Sequence, residues 1–285
     1  AGLSGMPTND DVGDHSVVLI VSDGFVTENQ EFTITVSNTN DAPFFTSTPT
    51  TSAIEDAEYS YTMVASDIDE GDELTYTAQT LPGWLIFDGA TTISGTPTND
   101  NVGDHSVVLV VTDNSGATDE QSFMINVSNT NDAPFFTSTQ TTSAIEDAEY
   151  SYQVTSADID VGDILSISGT VPDWLILIDN GDGTAGLSGM PTNDDVGDHS
   201  VVLVVTDNSG ATDEQSFMIN VSNTNDAPFF TSVPIEEATE DAEYSYTVTA
   251  EDVDMDADLF ILGEYPNWLT LVDNGDGTAE LSGTP

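Results

Sequence analysis

The sequence predicts an all-β protein built from tandem Greek-key β-sandwich modules in a linear rod. Three observations predict it. The motif Asn38-Thr39-Asn40-Asp41-Ala42-Pro43-Phe44-Phe45 returns at Asn129 and at Asn223, after steps of 91 and 94 residues. Long blocks are copied outright: residues 103–138 equal 197–232, and residues 1–19 equal 185–203. Within a repeat, apolar and polar residues alternate in short runs bounded by Gly, Pro, Asn and Asp, and no stretch carries capped helical spacing.

Starting each unit after its Asn-Asp pair gives two complete modules, 42–132 and 133–226. Residues 1–41 read as the C-terminal part of an earlier module, and 227–285 as the N-terminal part of a later one. In 42–132, strands are expected near 44–54, 58–66, 73–80, 84–88, 91–94, 105–113 and 121–128. Seven short strands with frequent turn signals suit a two-sheet Greek key. Trp84, Trp174 and Trp268, each two residues after a Pro, are expected as core anchors. In the run from His105, Val107, Leu109 and Val111 should face the core. That leaves Val108 and Val110 (and Val18/Ile20, Val202/Val204) outward, on a screened central strand or as a stripe for lateral bundling. Asp179–Gly183 reads as a hairpin turn rather than a cation loop. The terminal parts leave two readings open. The chain is a window on a longer array, or one molecule's tail strands complete the last module of the next, giving a head-to-tail filament.

Composition narrows the function. The 285 residues include 52 Asp and Glu, no Lys or Arg, three His and no Cys, for a net charge of −52. Nothing here neutralises a phosphate, so nucleic acid and anionic membrane surfaces are excluded as electrostatic partners. No apolar run approaches a membrane span, so direct insertion is not expected. Disulfides, thiolate metal sites and thiol nucleophiles are excluded too. His15, His105 and His199 fall one to a module and should not share a metal. The sequons at Asn126 and Asn220 read as chance. A catalytic site copied nearly unchanged and lacking any basic residue is improbable, so no enzymatic activity is expected. So many unopposed carboxylates call for an external cation.

The carboxylates recur in order. Each module opens with Glu-Asp (Glu55-Asp56, Glu146-Asp147, Glu240-Asp241) and carries Asp-x-Asp after its second strand (Asp67/Asp69, Asp158/Asp160, Asp252/Asp254). A further Asp closes the long apolar strand (Asp23, Asp113, Asp207). From linker Asp to the following Asp-x-Asp is 26 residues in all three copies. Converging carboxylates repel, by about 0.8 kcal/mol per pair at ~5 Å in water and by more when desolvated. A hard divalent ion with six to eight oxygen ligands relieves this, and irregular loops rich in protein oxygens favour Ca2+ over Mg2+.

The junction Asn-Asp-Ala-Pro-Phe-Phe, the Ile-Glu-Asp opening, Asp-Ile-Asp and the Val-x-Asp strand end resemble a cadherin-type repeat. Pro-x-Trp-Leu, Ser94–Thr98 and Gly-Asp-His-Ser-Val-Val-Leu resemble, more narrowly, the dystroglycan-type cadherin-like, immunoglobulin-shaped modules of large prokaryotic surface proteins. The resemblance covers the whole chain. It implies Ca2+ between successive modules, stiffening each junction. The first junction would use Asn38, Asn40, Asp41, Asp67, Asp69 and Asp113. The second would use Glu55, Asn129, Asn131, Asp132, Asp158, Asp160 and Asp207, and the third Glu146, Asn223, Asn225, Asp226, Asp252 and Asp254. The family's Asp-x-Glu has no match; Asn99-Asp100 and Asn193-Asp194 stand in its place. The expected role is a non-enzymatic calcium-binding segment of an extracellular adhesin, surface or matrix filament, with neighbouring modules and self-association as its partners. The alternative is spacer modules in a large secreted polysaccharide-degrading enzyme.

Overall fold

The computed structural model describes residues 2–255 and 257–285. The chain divides into two compact units, Ala1–Thr130 and Asn131–Pro285.

The first unit begins with a hairpin, β1 (Gly13–Ser22) against β2 (Thr27–Val36), which forms a two-stranded sheet of its own. A sandwich follows: β3 (Phe44–Phe45), β4 (Ser52–Ile54), β5 (Tyr59–Thr62), β6 (Ala65–Ser66), β7 (Thr75–Thr80), β8 (Ile86–Phe87), β9 (Thr92–Gly95), β10 (Gly103–Thr112) and β11 (Thr118–Ser128). One face is the sheet β4-β11-β10-β7, in which β4 runs parallel to β11. The other is β5-β9-β8 with the pair β3-β6 beside it. Alternation along β10 sends Val107, Leu109 and Val111 wholly inward. There Val107 and Leu109 pack with Ile125 and Val127 of the same sheet and with Tyr59, Tyr61 and Ile93 of the opposite one.

In the second unit β12 (Phe135–Phe136), β13 (Ser143–Ile145), β14 (Tyr150–Ala157), β15 (Ser166–Thr170), β16 (Leu175–Asp179), β17 (Thr184–Gly189), β18 (Gly197–Thr206) and β19 (Thr212–Ser222) repeat this topology. The sheets are β13-β19-β18-β15 and β12-β14-β17-β16. A further sheet follows from β20 (Phe229–Phe230), β21 (Tyr244–Glu251), β22 (Leu269–Asp273) and β23 (Thr278–Gly283), ordered β20-β21-β23-β22.

Several expected elements change. The strand expected over 44–54 divides into β3 and β4, which pair in different sheets. The strand expected over 58–66 breaks at Met63 and Val64, whereas β14 is continuous. The cause is hairpin length. The short Asp88-Gly89 turn ends the β9 ladder at Thr92, so Met63 N–H must reach Thr91 O outside it at 2.8 Å. The longer turn Asp179–Gly183 extends β16 and β17. It is a hairpin turn, with Gly181 and Gly183 at φ 74° and 80°. Three single-turn 3-10 segments, Asn9–Asp11, Asn99–Asn101 and Asn193–Asp195, were not expected.

Trp84 stands edge-on to Tyr59 at 5.7 Å and to His105 at 5.9 Å, and Trp174 repeats this with Tyr150 and His199. The His105 ring nitrogen lies 2.6 Å from Asn101 O, so this histidine is half-buried, packed on Trp84 and hydrogen-bonded. Gly95 completes the arrangement: a Cβ there would sit 2.0 Å from the Trp84 carbonyl oxygen. Val108, Val110, Val202 and Val204 are half-buried on the outer faces of central strands. Val18 and Ile20, on the two-stranded hairpin, are exposed.

Candidate metal centres

The loop after β6 leaves the pleat, and its carboxylates turn together. Asp67 accepts the Asp69 N–H at 3.0 Å, and Asp69 accepts the linker N–H of Asp41 at 2.7 Å. Asp113, immediately after β10, takes the N–H groups of Ser115 and Ala117 on one oxygen and the Asn40 amide at 2.8 Å on the other. The linker residues Asn40 and Asp41 are thereby tied to the sandwich that follows them. Asp72, across Gly71 at φ 97°, brings a fourth carboxylate: oxygens of Asp67, Asp72 and Asp113 lie within 4.8 Å of one another.

The energetics of this arrangement are unfavourable as it stands. Asp69 and Asp113 are each 5 % exposed, and one oxygen each of Asp67 and Asp69 is buried with no hydrogen-bond partner. Burial, then the charges of Asp67, Asp113 and Asp69, push the Asp72 carboxyl above the usual range. The Asn40 amide, helped by backbone N–H groups, holds Asp113 below it. A buried, unpartnered carboxylate is costly, and the sequence has no Lys or Arg to offset it.

The second unit repeats the construction twice. Asp160 accepts the Asp132 N–H at 2.8 Å, Asp207 accepts the Asn131 amide at 2.8 Å, and oxygens of Asp158, Asp160 and Asp163 lie within 4.8 Å. Burial and the charges of Asp158, Asp160 and Asp207 push Asp163 up. At residues 223–226 the linker meets both of its neighbours. Glu146 accepts the Thr224 N–H at 2.6 Å, Asp254 accepts the Asp226 N–H at 2.7 Å and the Asn223 amide at 2.9 Å, and Asp252 accepts the Asp254 N–H at 3.0 Å. Oxygens of Glu146, Asp226 and Asp254 lie within 4.8 Å. Glu146 is 2 % exposed, and its other oxygen is buried without a partner. Asn225 bonds the carbonyl of Asp226.

Of the remaining candidates, Glu55 is buried and accepts the Thr130 N–H at 3.2 Å, while Asn38 and Asn129 are exposed. Sequence reasoning missed Asp72 and Asp163, although the spacing Asp-x-Asp-x-Gly-Asp occurs in both complete repeats. Of the Asn residues standing in for Asp-x-Glu, Asn193 donates to Val253 O, and Asn9, at the equivalent place in 1–41, donates to Ile68 O at 2.5 Å; each acceptor is the middle residue of an Asp-x-Asp. The donor sets are hard oxygens throughout, with no sulfur or imidazole, so the residues fit a calcium-type cation.

Two stacked, mostly antiparallel sheets with these connections define tandem immunoglobulin/cadherin-like sandwich modules. The family model He_PIG, described as "Putative Ig domain", matches residues 42–128 and 133–222, and the chain belongs to that family. Among solved structures it is similar to protocadherin gamma B2 extracellular cadherin domains 1–5 (18 % identity, 95 % of this chain and 60 % of that one, TM-score 0.60). It is similar also to the protocadherin gamma B4 extracellular domain (20 % identity, 99 % of this chain and 50 % of that one, TM-score 0.59). These likenesses concern the fold. An endo-fucoidan hydrolase of glycoside hydrolase family 107 matches at 27 % identity over 87 % of this chain, with a TM-score of 0.33; the chain spans 40 % of its length. Comparison with curated protein sequences gave no match.

Proposed function

We propose that this chain is a non-enzymatic, calcium-binding structural segment of an extracellular adhesin or surface filament. Its modules are 42–132 and 133–226, flanked by parts of two others at 1–41 and 227–285. Ca2+ held at the linkers by the three carboxylate sets, with Asp72 and Asp163 added, stiffens the chain between modules. One observation carries this reading. Glu146, Asp226 and Asp254 come from a module's opening, the linker and the following Asp-x-Asp loop, yet their oxygens converge with a buried one left unpartnered. A bound Ca2+ supplies the positive charge that the sequence lacks. The chain's own part is to fix the oxygens in place, through linker N–H groups donated to Asp69, Asp160, Asp254 and Glu146. Extracellular modules of this affinity class bind at about 10⁻⁴–10⁻³ M, which suits an extracellular calcium level.

Calorimetric titration with Ca2+, together with small-angle scattering in Ca2+ and in EDTA, tests the proposal. Saturable binding and a longer maximum dimension with Ca2+ are expected. No binding heat, or a maximum dimension indifferent to chelation, would overturn it.

A further inference from the structure

Each module opens with Glu-Asp, and so far only the Glu has a task. The Asp that follows it is conformationally costly. Asp56, Asp147 and Asp241 have φ 59°, 56° and 60°, and among the described residues no other non-glycine residue has a positive φ. Glycine enters this left-handed region without penalty, and Asn enters it as readily as Asp but without the charge. A negative residue held there at every opening, in a chain already at −52, calls for a role that glycine would not fill.

In the second unit the surroundings of Asp147 supply that role. The turn after β13 is pinned through its backbone: Asp147 donates its N–H to Pro191 O at 2.9 Å, and Ala148 donates to Ile145 O at 3.3 Å. In an extended strand, side chains 146 and 147 would point to opposite faces. The left-handed residue ends that alternation, and both carboxylates come to bear on the linker. Glu146 does so from inside. It is 2 % exposed, has one buried oxygen without a partner, and brings an oxygen within 4.8 Å of oxygens of Asp226 and Asp254. Asp147 does so from the solvent side, with its side chain exposed. The Asp226 carboxyl is pushed up first by burial and next by the charge of Asp147, ahead of those of Asp254 and Asp252. The charge count fits more than one ion. Glu146, Asp147, Asp226, Asp252 and Asp254 bring five negative charges, against the two of a single Ca2+.

We propose that Asp147 and Asp226 hold a second divalent cation on the solvent side of the Glu146–Asp226–Asp254 cage, with Asp226 shared between the two ions. An exposed seat with two protein carboxylates leaves most of the cation's waters in place, which suits Mg2+ as well as Ca2+, whereas the buried cage suits Ca2+. The outer seat rests on the calcium reading of this junction given above and adds a residue and an ion to it.

Equilibrium dialysis of the full chain, with bound metal counted by atomic emission, tests the proposal on Asp147→Asn and Asp147→Gly. Asn keeps the shape and removes the charge; Gly also removes the backbone strain. Each variant is expected to hold one ion fewer per chain than the unsubstituted protein in saturating Ca2+, and neither should lower the melting temperature in EDTA. The same difference of one ion is expected with Mg2+ as the sole metal, and its absence there would overturn the hydrated character of the seat. If Asp147 serves only the turn, the EDTA melting temperature shifts and the ion count does not, which overturns the proposal and leaves the calcium reading standing. An unsubstituted chain that binds no Ca2+ overturns both.

Discussion

Asp69 is the most constrained carboxylate of the first cage, with one oxygen on the Asp41 N–H and the other buried without a partner. Replacing it by Asn keeps the shape and removes the charge. Asp69→Asn should weaken Ca2+ binding by about tenfold or more while changing the metal-free melting temperature little, as calorimetry and scanning calorimetry would read. The pH response has a definite sign. Burial and like charges raise Asp72, Asp163 and Asp226, so their contribution to metal-free stability is complete at low pH and is lost as pH rises through their raised values. Asp113 and Asp207 are lowered by Asn40 and Asn131, so their contribution is lost only as pH falls below the usual carboxylate range. In EDTA, acidifying from neutrality to just above that range should therefore raise the melting temperature. In Ca2+ it should lower it, because protons then compete with the metal. A slope of one sign in both buffers would contradict this account. The Asp-x-Asp pairs and linker Asp residues were legible because they repeat at one spacing. Asp72 and Asp163 were not, because they repeat in two copies only and the positive φ of Gly71 and Gly162, which turns them back into the cage, shows only in the backbone.

The long strands β10, β11, β18 and β19 were legible because two-residue alternation persists along them. Elements of two or three residues were not. β3 and β4 read as one strand until their partners, in opposite sheets, separate them, and the Met63 break depends on a hairpin some thirty residues away. Leu109 lies at the middle of the alternating run and is fully buried. Leu109→Ala should cost about 2–5 kcal/mol in chemical denaturation. At Gly95 a methyl group would meet the Trp84 carbonyl, so Gly95→Ala should cost about 1–3 kcal/mol despite its higher strand compatibility. Burial pushes the phenols of Tyr59 and Tyr150 up to about 12. Their folded values exceed the unfolded one, so this stabilisation is complete below pH ~10 and lost as pH climbs through ~12. With no Lys, Arg or Cys in the chain, alkaline unfolding should coincide with tyrosinate absorbance.

At the scale of the molecule, a charge of −52 sets the terms. The repeat was legible at once and carried the fold with it. The cost of gathering the carboxylates was less so, since desolvation is a property of the assembled loops. Metal that binds only the folded state adds RT ln(1 + [L]/Kd), about 2.7 kcal/mol per independent site at a hundredfold excess over Kd. Saturating Ca2+ should thus raise the melting temperature by several degrees. Added NaCl should raise it more in EDTA than in Ca2+, because screening acts on repulsion that the metal has already relieved. Equal salt effects in the two buffers would argue against cation-loaded cages.

The edge-on imidazole beside Trp84 and Trp174 has an optical consequence. Rings held at fixed angles around Trp84 and Trp174 give each indole an asymmetric surrounding, so sharp near-ultraviolet circular dichroism bands should mark the packed sandwich and vanish when that packing is lost. Trp268, with Tyr244 edge-on at 5.9 Å, should contribute a band of its own.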